Sequence, residues 1–222
     1  MAKKKSVERF DIDDVSPKAS ASSLLMTVLK ILGFIFVLPA AYGFSDGFYR
    51  EFSAQSRSVI DSCVYAVCLY LILHIFICKP TSVYKFGENI MDKIFGFTGP
   101  LRKFFTYGIP FYGLIIFIYY LAISNFFHRE FNKESVVFVL VFAFIMHLTF
   151  VAEELREQHT ELFRAGYFLY LFLAYTMNLL ILGLFFYYIF DKFSLMNCIK
   201  FGYDFIISSY ALVWRQLFVI KK

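Results

Sequence analysis

The chain has 222 residues, of which 59% are hydrophobic and 22% aromatic but only 18% charged. Ordinary globular proteins are about 45–50% apolar and about 25% charged, so this balance excludes a typical water-soluble domain. The net charge of +5 comes from basic residues scattered between apolar runs, a pattern typical of membrane orientation signals and anionic lipid contact rather than of nucleic-acid binding.

The first segment, residues 1–20, is polar and carries charges of both signs. It predicts a short cytosolic N-terminal tail. The remainder, residues 21–222, is so rich in apolar runs that no room is left for a separate soluble domain. We therefore expect one transmembrane helical domain after the tail.

Six apolar runs in this remainder approach the length of a bilayer crossing, which needs roughly 20 apolar residues in a helix. They predict an all-α, polytopic integral membrane helical bundle of six transmembrane helices. The last run carries Lys200, Asp204 and Arg215, so five spans plus an amphipathic surface helix is the alternative. The predicted spans are residues 23–44, 59–78, 105–126, 135–152, 167–190 and 195–218.

The long connection after the second run has its own periodicity. Its apolar residues recur every three or four positions, and Gly99-Pro100 ends the pattern. This predicts an interfacial amphipathic helix over residues 81–98, with its apolar side toward the acyl chains. The apolar residues are Val83, Phe86, Ile90, Ile94 and Phe97.

The distribution of basic residues predicts the orientation of the bundle. With six spans and a cytosolic N-terminus, fourteen Lys and Arg residues fall in inside segments and five in outside loops. This asymmetry follows the positive-inside rule. We therefore expect both termini in the cytosol, and an inner (cytoplasmic) bacterial membrane. The inside residues are Lys3, Lys4, Lys5, Arg9, Lys18, Lys79, Lys85, Lys93, Arg102, Lys103, Arg156, Arg164, Lys221 and Lys222; the outside ones are Arg50, Arg57, Arg129, Lys133 and Lys192.

Two histidines lie within predicted spans. His74 and His147 are each one to two turns from the cytosolic end of a span that runs inward, so both imidazoles are expected at a similar depth. Helical bundles hold b-type haem between two such histidines. The alternative is that each imidazole is bonded to a neighbouring hydroxyl or carbonyl group.

Other ionisable and polar groups are expected inside the bilayer. Lys200 and Asp204 share a helical face, and Asp61 enters the second span from the same side. One hypothesis is a buried charge clamp that lets the last helix insert, since intramembrane charges are normally paired. The other is an ion path in which Asn178 lies at mid-depth.

The charged turn between the fourth and fifth runs is a candidate docking site. Carboxylates at four-residue steps predict solvated helix ends beyond the bilayer, where a soluble cytosolic partner can bind. Glu157 precedes His159 by two residues rather than three, so the Glu-x-x-His motif of di-iron sites is not formed, and we predict no di-iron or other metal site. The predicted docking residues are Glu153, Glu154, Arg156, Glu157, Glu161 and Arg164.

The sequence has no phosphate-binding P-loop and no HExxH motif, and its one GxSxG match, Gly43 to Gly47, adjoins a predicted helical span rather than a strand. We therefore predict a non-catalytic integral membrane subunit that forms homo-oligomers, anchors a soluble partner, or does both. One alternative is a small oligomeric channel or transporter that uses Asp61, Asn178, Lys200 and Asp204. A second is a haem b redox protein that uses His74 and His147; the main hypothesis needs no cofactor.

Overall fold

The computed structural model describes residues 21–77, 80–127, 132–158 and 165–218. These ranges form helices and short connections, with no strand among them. A π-helical turn (Leu73–Ile77) continues α2, and a 3-10 turn (Gly96–Leu101) joins α3 to α4. The predicted N-terminal tail lies outside the described residues. The helices are α1 (Ala21–Ser53), α2 (Arg57–Ile72), α3 (Thr81–Ile94), α4 (Arg102–Gly108), α5 (Phe111–Phe127), α6 (Lys133–Gln158), α7 (Ala165–Ile189) and α8 (Leu195–Phe218).

Four of the described helices are long and apolar enough to cross a membrane. They contribute Thr27–Ser53, Arg57–Phe76, Lys133–Arg156 and Tyr167–Ile189. α4 and α5 pass the same test only together, with a bend of 60° between them, so the number is five if this pair forms one span. The all-helical class is thus confirmed, and the helices are consistent with an integral membrane protein.

The first helix extends well beyond its predicted end at residue 44. Polar residues that were predicted to form a loop continue the helix to Ser53, because their side chains bond one turn back. Ser45 Oγ donates to the Ala41 carbonyl at 2.6 Å, and Arg50 Nε pairs with Asp46 Oδ2 at 2.9 Å. Pro39 lies inside this helix without ending it.

α6 lies at the centre of the described bundle. It packs against α2, α5 and α7, while α7 also contacts α1 and α4. One buried cluster contains Ala66, Leu140 and Phe186, and a second contains Tyr84 and Phe150. The second cluster lies where α3 covers the bundle, and we call this part of the molecule the α3 end.

α8 is held against α1 along a glycine seam formed by Gly43, Gly47, Cys198 and Gly202. A Cβ atom at Gly47 would lie 2.5 Å from the Cys198 carbonyl oxygen, and one at Gly43 would lie 2.9 Å from that of Gly202. Gly43 and Gly47 form a GxxxG pair, the spacing that lets helices approach closely in membranes. The seam therefore depends on the absence of side chains at these glycines.

Candidate functional site

The bend between α4 and α5 turns a backbone carbonyl toward two other helices. Pro110 has no N–H group to continue the helix, and Ile109 N–H makes the last bond of α4, to the Phe105 carbonyl at 3.0 Å. The Tyr107 carbonyl then accepts from His147 Nε2 at 3.0 Å and from Asn178 Nδ2 at 3.1 Å. Non-helical backbone is tolerated at membrane depth where protein groups satisfy it, and His147 and Asn178 do so here.

His147 is therefore engaged in holding the bend. A carbonyl oxygen only accepts hydrogen bonds, so Nε2 of His147 carries the hydrogen. The residue is 6% exposed, and Asn178 is fully buried and also donates to the Ala174 carbonyl at 2.8 Å. The bond of His147 to a carbonyl matches the alternative given for its imidazole, whereas the structural role of Asn178 was not predicted.

His74 lies on the π-helical turn at the end of α2. Its Nδ1 is 3.1 Å from the Tyr70 hydroxyl, and its Nε2 is 3.4 Å from Glu153 Oε1 on α6. Both ring nitrogens thus have protein partners. This arrangement matches the alternative in which each imidazole bonds to neighbouring groups.

The space between the two histidines is filled by aromatic rings. His74 contacts Phe150 with ring centroids 5.9 Å apart, Phe150 stacks on Tyr84 at 4.7 Å, and Tyr84 lies 6.0 Å from His147. A haem between His74 and His147 would have to displace Phe150 and Tyr84, and the Nε2 atom of each histidine already faces a protein oxygen, that of Glu153 at 3.4 Å and that of Tyr107 at 3.0 Å. The residues present do not fit a haem.

A group of phenols and carboxyls occupies the α3 end beside these rings. The Tyr107 hydroxyl donates to Glu154 Oε1 at 2.8 Å. Glu88 on α3 faces the same carboxyl group, and partial burial together with Glu154 raises the pKa of Glu88 to about 7. Tyr84 is buried, and this burial is the main reason why its pKa is raised. The nearby carboxyl groups of Glu154 and Glu88 raise the pKa of Tyr84 further. Glu88 and Glu154 therefore form a pair of carboxyl groups that share a proton, and the buried phenol of Tyr84 lies next to this pair.

Two spaces adjoin this group of side chains. A groove of about 330 Å³ opens beside Glu88 and Glu154. A small cavity of about 10 Å³ lies behind Tyr84 and beside His147, with room for about one water molecule. Asp92 at the same end is fixed by Thr106, which donates to it at 3.0 Å, and by Arg102 at 3.5 Å.

The four residues of the predicted clamp or ion path are not brought together. Asp61 pairs with Arg57 on its own helix at 3.1 Å. Lys200 and Asp204 are exposed on α8, and neither forms an ion pair with any residue that the structure describes. Asn178 is buried against α4. Within one chain, therefore, the described structure supports neither a clamp between Asp61 and Lys200 nor a path through all four residues.

The predicted docking turn is only partly described. Glu153 and Glu154 point into the bundle, where they contact His74 and Tyr107. Arg156 is exposed. The side chain of Glu157, together with Glu161 and Arg164, lies outside the described residues. Docking of a soluble partner at this turn stays a prediction.

Sequence reasoning missed Tyr84, Glu88 and Tyr107 as members of a site. A usable signal was present on α3, where Tyr84 and Glu88 are four residues apart and therefore share one face of the helix. This face, with Gly87 and Met91, is buried against the bundle. Tyr107 gave no such signal, because its role depends on the bend that follows it.

Comparison of the chain with protein-family models, with curated proteins and with solved structures finds no match.

Proposed function

We propose that the chain is a non-catalytic integral membrane subunit that assembles with further copies of itself through α8, its sixth span. The observation that carries this proposal is the pair of charged residues on the outward face of α8. Lys200 and Asp204 are both exposed, four residues apart and opposite in charge.

The packing of α8 on α1 supports a sixth crossing. The contact runs from the glycine seam at Gly47 to Phe36, whose carbonyl accepts from the Tyr210 hydroxyl and whose ring lies 5.4 Å from that of Tyr210. These α1 positions are eleven residues apart, which is about 16 Å along a helix, and both lie within Thr27–Ser53. This contact covers about half of a hydrocarbon core of roughly 30 Å, and we propose that α8 continues across the rest of the membrane beside α1.

Among the described residues Lys200 and Asp204 have no ion-pair partner, and we propose that a second copy of the chain supplies one. A charged residue at the centre of a membrane helix costs about 2.5–3.5 kcal/mol, and less near the interface. A two-fold axis along the membrane normal would place α8 of two copies side by side and parallel, with Lys200 of each copy about 6 Å along the axis from the level of Asp204 of the other, so that the two side chains can pair diagonally. Tyr203 and Ile207 are 58% and 51% exposed on the same face and would add apolar contact.

The orientation follows from the six spans. The positive-inside rule then puts the α3 end and both termini in the cytosol. We place the subunit in an inner bacterial membrane on the basis of its short loops and this charge asymmetry. An epitope tag at each terminus, tested for protease access in sealed vesicles, checks the orientation.

Two complementary charge reversals test the assembly. Lys200→Asp makes both positions acidic, and Asp204→Lys makes both basic, so each variant alone should be monomeric in nanodiscs. Co-expressed, the two variants should form mixed dimers, because every pair across the interface is then opposite in charge. Subunit counting by photobleaching with two dyes measures this result.

The mixed dimer separates pairing between chains from pairing within one chain. Within a single helix, neither reversed variant regains an opposite-charge pair, so only contact between copies restores assembly. Lys192→Asp, an exposed charge reversal before α8, is the matched control and should leave assembly unchanged. A wild-type monomer, or reversed variants that assemble as well as wild type, would show the proposal to be wrong.

A further inference from the structure

The groove at the α3 end contains both acidic and basic groups. Glu88 and Glu154 face each other on one wall, and Lys85 is exposed at the mouth. A zwitterionic ligand could therefore meet opposite charges at its two ends. The lining residues are Thr81, Tyr84, Lys85, Glu88, Phe150, Glu153 and Glu154.

Tyr84 is the independent sign that this groove accepts a ligand. Its side chain is 6% exposed and lines both the groove and the small cavity behind it. Its hydroxyl has no hydrogen-bond partner among the described residues. A buried hydroxyl without a partner is costly, and a bound donor in the groove would satisfy it.

The chemistry of these groups selects a primary ammonium ion. Two facing carboxyls and a phenol oxygen offer several acceptors to a cation that carries N–H donors. No three His, Cys, Asp or Glu residues in the described ranges are arranged to hold a metal ion. A quaternary ammonium ion has the same charge but no N–H donor, so the site should discriminate against it.

The surroundings of the groove put it at the level of lipid headgroups. Val83 and Phe86 on α3 are 49% and 62% exposed and flank the groove residues in sequence. In an interfacial helix such side chains enter the acyl region, while the polar residues remain among the headgroups. Lys85, between Val83 and Phe86, is then placed to bind a phosphate group.

We propose that this groove binds the headgroup of phosphatidylethanolamine, with its ammonium group between Glu88, Glu154 and Tyr84 and its phosphate at Lys85. The proposal concerns the α3 end of one chain and does not depend on assembly through α8. Its failure would therefore leave the proposed function intact.

A series of headgroups tests the site on the wild-type protein. Phosphatidylethanolamine and its N-methyl, N,N-dimethyl and N,N,N-trimethyl (choline) forms share one phosphate and lose one N–H donor at each step. Native mass spectrometry of the detergent-solubilised chain should show affinity falling along the series, by about tenfold from the first to the last. Phosphatidylglycerol, which lacks the ammonium group, should bind no better than the choline lipid.

Two substitutions test whether the preference for phosphatidylethanolamine over phosphatidylcholine arises at this groove. Tyr84→Phe removes only the hydroxyl and keeps the stack on Phe150, and it should weaken binding of phosphatidylethanolamine by about threefold. At pH 8, above the pKa of Glu88, Glu88→Gln removes a charge and should weaken binding of phosphatidylethanolamine by about tenfold. Binding of phosphatidylcholine should change by less than about twofold in both variants. Asp191→Asn is the control. Asp191 follows α7, its side chain is 96% exposed, and it pairs with Lys133 at the opposite end of α6 from the groove. This substitution should change the binding of neither phosphatidylethanolamine nor phosphatidylcholine.

Three results would overturn the proposal. The first is equal affinity for ethanolamine and choline lipids in the wild-type chain. The second is a preference that survives Tyr84→Phe and Glu88→Gln, because the site would then lie elsewhere. The third is a lysine-rich peptide that binds at this groove while the ethanolamine lipid does not, which would assign the acidic wall to a protein partner.

Discussion

α6 and α8 are similar in length, with 26 and 24 residues, and both carry ionisable groups in apolar surroundings. On α6, His147, Glu153 and Glu154 find partners on α2 and α4 within the same chain. On α8, Lys200 and Asp204 are exposed and have no ion-pair partner among the residues that the structure describes. The comparison indicates that the packing around a helix, rather than its own sequence, decides whether its polar residues bond to other helices of the chain.

The largest effect should come from separating α8 from the rest of the bundle. In Gly47→Val, the new side chain would meet the Cys198 backbone, which cannot move aside as a flexible side chain does. Overpacking usually costs about 1–3 kcal/mol, and we expect the free energy of unfolding in mixed micelles to fall by about 3 kcal/mol.

Gly96→Val is the matched control for this change. No atom lies within 4 Å of a Cβ at Gly96, so it should change the free energy of unfolding by less than about 1 kcal/mol. If the two valine variants were equally stable, the glycine seam would not be the attachment of α8.

The polar groups of α6 and α7 should give the next largest effect. His147→Leu leaves the Tyr107 carbonyl with one donor and should lower the free energy of unfolding by about 1–2 kcal/mol. Asn178→Leu should cost less than about 1 kcal/mol, because it also removes Oδ1, a buried acceptor with no partner among the described residues.

The double variant sharpens this prediction. With both donors removed, the Tyr107 carbonyl loses the two side-chain hydrogen bonds that hold the bend, so the combined loss should exceed the sum of the single losses by about 0.5 kcal/mol or more. Thr176→Val on α7 is the control, since Thr176 bonds only within its own helix. Strict additivity would mean that the two donors do not share an acceptor.

A smaller effect should depend on pH at the α3 end. The folded protein keeps a proton on Glu88 up to about pH 7, whereas the free side chain has a pKa of 4.5. The folded state thus binds more protons than the unfolded state between these values, and stability should fall as the pH rises from 4.5 through 7. Glu88→Gln should abolish this fall.

Because Glu88 is half-buried, solvent screening reduces the contribution of its pKa shift to the free energy of unfolding. We therefore expect Glu88→Gln to be more stable than wild type by about 1 kcal/mol at pH 8. At pH 4 the two proteins should be equally stable. Unfolding titrations at both pH values measure the difference, with Asp191→Asn as the control. A wild-type stability that does not vary between pH 5 and pH 8 would contradict the prediction.

The smallest effect should come from Asp61. It pairs with Arg57 in an exposed arrangement, with side chains 40% and 86% exposed, and such pairs contribute about 0.2–1 kcal/mol. Asp61→Asn should therefore change the free energy of unfolding by less than about 0.5 kcal/mol. It should also leave liposome ion flux unchanged; a change in flux would revive the ion-path hypothesis.

Much of the helical architecture was predictable from the sequence because the apolar runs are long. α8 was predicted with its observed bounds, and α7 within two residues at each end. The predicted end of α1 at residue 44 was wrong. Ser45, Asp46 and Arg50 look like a loop in the sequence, but the side chains of Ser45 and Arg50 bond to residues one turn back along the helix.

The candidate site was much less predictable, because it depends on contacts between distant segments. Pro110 was visible in the sequence, but nothing near it indicates that the Tyr107 carbonyl would turn toward His147 and Asn178. The haem hypothesis has the same weakness, since equal depth in the bilayer does not show that Phe150 and Tyr84 lie between the histidines. Tyr84 and Glu88 share one face of α3 in the sequence, but only packing revealed that Glu154 lies beside Glu88.

The bend at Pro110 has a consequence for the surrounding lipid. α5 alone has 17 residues, or about 25 Å of helix, which is shorter than the roughly 30 Å hydrocarbon core of a typical bilayer. Since α4 leans aside by 60°, a bilayer that α5 alone crosses would meet a hydrophobic mismatch and would thin locally to match it. Thinning at this flank would draw phospholipid headgroups down toward α3, which packs against the start of α5.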